Sequence, residues 1–224
     1  MIRLLSLLAC LPLVACQHTA PTPAPAASPV AATPAPSTPA PAVPAAAAPT
    51  STDWRDQLWP AHRDAVLARP RIVLADDAAQ DHLAVASDAR ALLVRADHPQ
   101  PLGEIGGAWR ARSLQFGTYG AFGYPWFAAE ITTTGGIQRF TKTTGSQRRS
   151  GRLVPGDTPD TRVFIGGAAV NNDPIPPYSL DANASAEEPV ASDSVGRLVR
   201  IGPSDLLMVL DVDGSRFELY HLQR

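Results

Sequence analysis

Cysteine is nearly missing from this chain. Its 224 residues hold two, Cys10 and Cys16, so whatever folds beyond residue 16 closes without a disulfide and is held by burial alone, which is unusual for a small secreted domain. An excess of charge is missing too: the formal net charge of −2 argues against a dedicated polyanion binder or a polybasic membrane patch. The arginines lack interleaved aromatics, so no nucleic acid is expected as a partner. No apolar run reaches the roughly 18 residues of a membrane-spanning helix. The histidines, at 18, 62, 82, 98 and 221, show none of the short spacings of a zinc site, and neither metal nor cofactor is expected. Serine beside a positioned base is also lacking: Ser146 and Ser150 have no histidine nearby, and the flanks of Ser146 are not those of a nucleophile elbow, so no catalytic residue is assigned.

What is present begins with a lone Arg3 and the apolar stretch Leu4 to Val14, too short to cross a bilayer and ending in small residues, which reads as a signal peptide over residues 1–15. Leu13, Val14, Ala15 and Cys16 resemble the lipobox of bacterial lipoproteins. That resemblance implies cleavage before Cys16 and acylation of its thiol. Leu7, Leu8, Ala9 and Cys10 match less well and would leave too little apolar segment ahead of the cut. Two or more acyl chains bind a membrane stably where one binds marginally, so the expected partner is a membrane, reached through lipid on Cys16. Gln17, in place of Asp, implies by the same resemblance sorting to the outer membrane, with the protein facing the periplasm. Residues 16–51 are then a linker. From Gln17 to Thr50 they are almost entirely Ala, Pro, Thr and Ser, with little to bury, and in polyproline II at about 3.1 Å per residue they could reach on the order of 100 Å.

A single folded domain is expected over 52–224. Asp53 to Leu58 supply an acidic first turn, Pro60 starts a second turn or kinks the first, and Leu58, Ala61, Ala65 and Val66 give an apolar stripe. Asp76 and Asp77 are expected to cap a second helix along Ala79, Leu83, Ala86, Arg90 and Leu93. Residues 52–95 thus read as two helices, with His62 and His82 on their surfaces. Beyond Gly106 the period becomes two. Strands are predicted at 108–116, 126–134, 137–144, 148–154, 162–170, 196–201, 206–212 and 217–222, with Gly135–Gly136 and Asp213–Gly214 as hairpin turns, Pro155 to Asp157 as a longer one, and 171–194 as one long loop. The fold class is mainly β (α+β): an eight-stranded antiparallel up-and-down barrel over 106–224, or a strongly curled meander, preceded by two helices.

Tyr124 to Phe127, then Phe140, Lys142, Thr144 to Arg148, Gly151 to Leu153, and Val163 to Gly166 are similar to the central signature of a proteobacterial family, domain of unknown function (DUF) 4893. Asp53, Trp54 and Arg55 resemble its opening residues, and Tyr178 and Asp181 its later loop; the likeness covers most of 53–222. It carries no activity. Ala111 and Ala129 stand where the family implies cysteines, which would mean a disulfide dropped as a unit. Leu206 and Leu207 replace an aromatic expected near the start of the penultimate strand.

The densest polar run is Lys142 to Arg152. If Phe140 points into the barrel, alternation sends Gln138 and Lys142 inward as well, and a buried ammonium must be paired or must face a ligand or water. Gln138, Lys142, Ser146, Gln147 and Arg148 are therefore the candidate ligand-binding residues; the alternative is a solvated, twisted hairpin whose charges protect it from edge pairing. The functional expectation is a non-enzymatic module binding a small or amphipathic ligand or an envelope partner. Two others stay open: a structural or assembly lipoprotein with a solid barrel core, and an inhibitor of periplasmic proteases. An interior lined by Lys142 with on the order of 300 Å³ of space would favour the binder, and one filled by Phe and Leu the structural module.

Overall fold

A computed structural model describes residues 51–183 and 185–224. The signal peptide, the lipidation site Cys16 and all of the linker before Ser51 lie outside the described residues. Eight strands follow one another: β1 (Gly107–Gly117), β2 (Gly120–Thr134), β3 (Ile137–Lys142), β4 (Gln147–Pro155), β5 (Thr161–Val170), β6 (Asp193–Gly202), β7 (Asp205–Asp213) and β8 (Arg216–Gln223). Each pairs antiparallel with the next, and β8 returns to β1, so the sheet is a closed up-and-down barrel. Closure removes the free edges that a meander of this length would expose.

The period-two pattern works on both faces. Trp109, Ala111, Ile131, Phe140, Leu153, Phe164, Leu198, Leu206, Met208, Tyr220 and Leu222 point inward and form one packed core. Phe140 lies edge-on to Phe164, ring centroids 6.0 Å apart. Gly151 and Gly166 face each other across β4 and β5. A Cβ on Gly151 would come within 2.4 Å of the Ile165 carbonyl oxygen, and one on Gly166 within 2.2 Å of that of Ser150, so both positions require glycine for close backbone approach. Ala111 and Ala129, where the resemblance implied a disulfide, both point into this core and are diagonal neighbours on β1 and β2.

Helices cover the outer face of β5 to β8 and β1. A 3-10 turn at Trp54–Gln57 precedes α1 (Pro60–Leu67), which takes Pro60 as its first residue, where the missing N–H costs nothing. Trp54, Leu58 and Val66 pack with Tyr178 on Val163, Ile165 and Val195. Along α2 (Gln80–Ala96), Ala86, Ala89 and Leu92 make a buried stripe of helical spacing, which packs on Leu114, Phe116, Val199, Leu207, Val209 and Leu219. Asp76 and Asp77 do not cap it. They form a turn ahead of the helix, and its N-cap is Ala79, with no side-chain hydrogen bond. The second strand begins six residues before the predicted Trp126: between the pairs Arg112–Trp126 and Leu114–Gly123, one residue of β1, Ser113, faces two of β2, Tyr124 and Pro125. Pro125, which cannot donate to a ladder, sits in this bulge, and the bulge hides the alternation. The long loop after β5 carries a short helix, α3 (Ser179–Ala182).

The two ends of the barrel differ. One is plugged by the segment leading into β1: Leu102 and Ile105 are buried in the core, and Arg200 holds the carbonyls of Leu102 and Glu104 at 2.7 and 2.9 Å. At the other end, where β1, β3, β5 and β7 finish, the interior turns polar.

Candidate functional site

Continuing the inward register of the core toward this second end brings Ser113 and Gln115 of β1, Lys142 of β3, Gln147 and Arg149 of β4, Ser194 of β6, and Glu218 and Tyr220 of β8 into the interior. Arg149 is their centre. Its Nε donates to Ser194 Oγ at 2.8 Å, Nη1 to Tyr220 Oη at 3.0 Å and to Glu218, and Nη2 to Asp211 at 2.8 Å. Burial opposes the guanidinium charge, but Glu218, Tyr220 and Asp211 outweigh it and hold the Arg149 pKa well above its ordinary value. Burial raises the Tyr220 phenol in turn. Glu218 accepts also from Ser113 and Gln115, and Gln115 donates to Gln147. The network thus closes on itself, as an interior polar cluster must.

Asp211 reaches Arg149 only through a backbone irregularity. Register shifts between Leu210 and Asp213, and Asp211 has φ +52°, a left-handed conformation uncommon outside Gly, Asn and Asp. The bulge lets one side chain accept from Arg149, from Ser194 Oγ and from the Val195 amide. Such outliers persist where surrounding contacts over-determine them.

Above this floor lies a cavity of about 540 Å³. Gln115, Gln147, Arg148, Arg149 and Glu218 form its polar side; Ala168, Ala169, Val170, Pro174, Pro176 and Ala191 form its apolar one. Its roof is the loop after β5, whose chain is tied to the mouth by Asn171 N–H to the Ser146 carbonyl and by Ala168 N–H to the Ser192 carbonyl. The far end of that loop is fixed to the N-terminal layer. Ser179 is held by Asp193 and by Trp59 Nε1, Tyr178 Oη accepts from the Trp59 amide at 3.0 Å, and Arg152 pairs with Asp181 at 2.6 Å and with Gln57.

The five sequence-derived candidates are only partly brought together. Lys142 does point inward and is 2% exposed, with its ammonium on the Gln147 carbonyl and 4.3 Å from the Phe127 ring centroid. Burial lowers its pKa. It lies behind Gln147 and does not line the cavity. Gln138 is at the plugged half of β3, 3.5 Å from Arg162 Nε. Ser146 is exposed on the β3–β4 turn. Gln147 and Arg148 line the cavity from adjacent positions, Gln147 from the inner face and Arg148 from the outer. Sequence reasoning missed Gln115, Arg149 and Glu218 as members of the site. The available signal was Glu218 between Phe217 and Leu219, the one carboxylate of β8, which requires a partner if its face of the strand is buried. His62, expected on a helix surface, is half-buried, with Nδ1 2.7 Å from Tyr178 Oη.

Residues quoted for the family likeness hold the scaffold. Trp54 Nε1 and both Arg55 Nη atoms converge on Asp157 at 2.7–3.0 Å, and Gly151, Gly166, Phe140, Phe164, Arg152, Tyr178 and Asp181 build the wall and the roof anchor described above. No curated protein and no solved structure matches the chain. A family described as a domain of unknown function (DUF4893) matches residues 54–222, which is most of the 224 residues, and the chain belongs to that family.

Proposed function

We propose that this protein is a non-enzymatic binding module that takes a small, partly apolar molecule at the open mouth of its barrel, and that it is carried on the periplasmic face of the outer membrane by lipid on Cys16. The observation that supports the binding reading is the pairing of a cavity of about 540 Å³ with a floor of buried, mutually satisfied charged groups and an apolar roof. Ligand sites commonly combine mostly apolar walls with a few fixed polar groups in volumes of about 300–1,000 Å³. The guest sits at the mouth and not in the lumen, because Phe140, Phe164, Met208 and Tyr220 fill the interior below.

That filled interior favours a second reading, a structural envelope module acting through its outer surface. Native mass spectrometry of the protein purified from its own source separates the two. A binder carries a stoichiometric extra mass that is lost in Ala168→Trp, which fills the cavity, and its melting temperature rises with added ligand. No co-purifying mass, together with an unchanged melting temperature across a ligand panel, would reject the binder and leave the structural module.

A further inference from the structure

The chemical class of the guest can be narrowed, on the premise that the mouth cavity is the binding site. The charged residues that line it are Arg148, Arg149, Asp173 and Glu218, two of each sign, so it holds no excess charge for an ion. The inner pair is also fully used. Arg149 has its three nitrogens engaged by Ser194, Tyr220, Glu218 and Asp211, and Glu218 accepts from Ser113, Gln115 and Arg149. Arg148 leaves β4 on the outer face and donates to the Asp173 carbonyl at 2.6 Å. An ionic head group entering the cavity would give up its hydration and meet no unmatched opposite charge.

What remains to be satisfied there is neutral. Glu218, the carboxylate paired with Arg149, can only accept, so Gln115 turns its NH2 toward it, at 3.2 Å. The same nitrogen donates to Gln147, which must therefore present its Oε1. Both amides are thus oriented by Glu218. They are left with one acceptor, Gln115 Oε1, and one donor group, the Gln147 NH2, neither of which has a hydrogen-bond partner among the described residues. Both side chains are half-buried, yet neither free atom is sealed, since the one buried side-chain polar atom without a partner among the described residues is Arg148 Nε. Gln115 and Gln147 line the cavity from the inner face, and a guest there has an acceptor and a donor within reach. Ala168 and Val170 pair across the sheet with Arg149 and Gln147, so they share that inner face. With Pro174 and Pro176 they make an aliphatic surface, and no aromatic ring is among the described lining residues.

We infer that the cavity takes an uncharged aliphatic molecule whose head group both donates and accepts hydrogen bonds, as an alcohol or a carboxamide does. The head accepts from Gln147 Nε2 and donates to Gln115 Oε1, and the chain lies along Ala168, Val170, Pro174 and Pro176. A neutral donor and acceptor orient such a head without the desolvation cost that an ion would bring.

Calorimetry of the purified protein with octanamide, octanol, octanoate and octylammonium tests it at about pH 7, where the last two are ionised and all four share a chain. The two neutral probes are expected to bind on the order of tenfold more tightly than either ion. Partition into any apolar surface would also favour them, so two variants isolate the site. Ala168→Trp, which fills the cavity, should abolish their binding, and Gln147→Met, which keeps the length of the side chain but removes its amide, should weaken it several-fold. An ion that binds as tightly as the neutral probes overturns the inference and leaves the mouth a binding site of another class; indifference to Gln147→Met does the same. Neutral binding that survives Ala168→Trp, or no binding by any probe, overturns it as well, and the co-purification measurement then judges the parent reading by itself. If either variant does not fold, the side-chain amide signals of Gln115 and Gln147, followed by NMR in the unaltered protein, decide the same point. They should move as octanamide is added, and signals that stay in place refute the contact.

Discussion

At the scale of single residues the most consequential contact is Arg149 with Glu218. Glu218 is 6% exposed, and Arg149 cannot shed its charge at any ordinary pH. Removing one partner of a buried pair costs more than the pair contributes, because the other charge stays behind unpaired, and typical losses are about 3–5 kcal/mol. Glu218→Gln should therefore lower unfolding free energy by about that amount in urea titrations, and the double change Glu218→Leu with Arg149→Met should recover much of it. A double variant as unstable as Glu218→Gln would mean the pair contributes through something other than mutual neutralisation. His62 makes a second, opposite case. Tyr178 Oη accepts from the Trp59 amide and lies 2.7 Å from His62 Nδ1; with His62 neutral and protonated at Nε2, Nδ1 accepts the hydroxyl proton of the buried tyrosine, and a doubly protonated ring cannot. Burial is the main cause that lowers the His62 pKa below 6.5, against the pull of Asp193 and Asp211. The unfolded chain then binds the proton first as pH falls. Stability from this group is complete above about pH 6.5 and declines as pH drops below it toward the folded value. Melting curves between about pH 8 and about pH 5 should show that decline, and His62→Gln should flatten the part due to this group; an identical slope in both proteins would mean that His62 contributes nothing to it.

At the scale of elements, the strands were legible because alternation is strict where one face meets the core. Ile137 to Lys142 and Arg216 to Gln223 follow from Phe140 and from Phe217, Leu219 and the turn at Asp213 and Gly214. Alternation also placed Lys142 inside, from Phe140 two positions earlier. The site was harder to see for a related reason. In the halves of β1 and β8 nearest the mouth both faces are covered, one in the barrel and one beneath α2, so Leu114, Phe116, Phe217 and Leu219 look like core while Ser113, Gln115 and Glu218, between them, are the residues that point inward. Period two gives the alternation without saying which phase faces the lumen. Arg149 is hidden among Arg148 and Arg152, whose side chains leave β4 on the opposite face. Asp211 could not be read at all, since its reach into the mouth depends on a bulge and a positive φ. Capping at Asp76 and Asp77 failed because α2 begins several residues later, under the pull of its alanine stripe against the barrel. Local propensity yielded there to packing.

At the scale of the whole molecule, the N-terminal layer and the barrel stand or fall together, and the cavity exists because of both. The outer faces of β5 to β8 and β1 carry Val163, Ile165, Val195, Val199, Leu207, Val209, Leu219 and Phe217, all buried under the 3-10 turn, α1, α2 and α3. Uncovered, they would form a continuous apolar surface well beyond the roughly 300–600 Å² that soluble monomers tolerate. The same layer holds the roof, through Trp59 to Ser179 and Gln57 to Arg152 and so to Asp181. A chain begun at Ser51 should therefore melt in one cooperative transition and bind whatever the full chain binds. A chain begun at His98 keeps every strand and the plug at Leu102 and Ile105, and by secondary structure alone it should fold. Packing says otherwise: it is expected in the insoluble fraction, or as a species that binds a hydrophobic dye and exchanges its β5 to β8 amides quickly. If the shorter chain instead proved soluble and monomeric with a sharp transition, the barrel would be self-sufficient. The loss of roof anchors would then appear only as weakened ligand binding, measurable on that same protein.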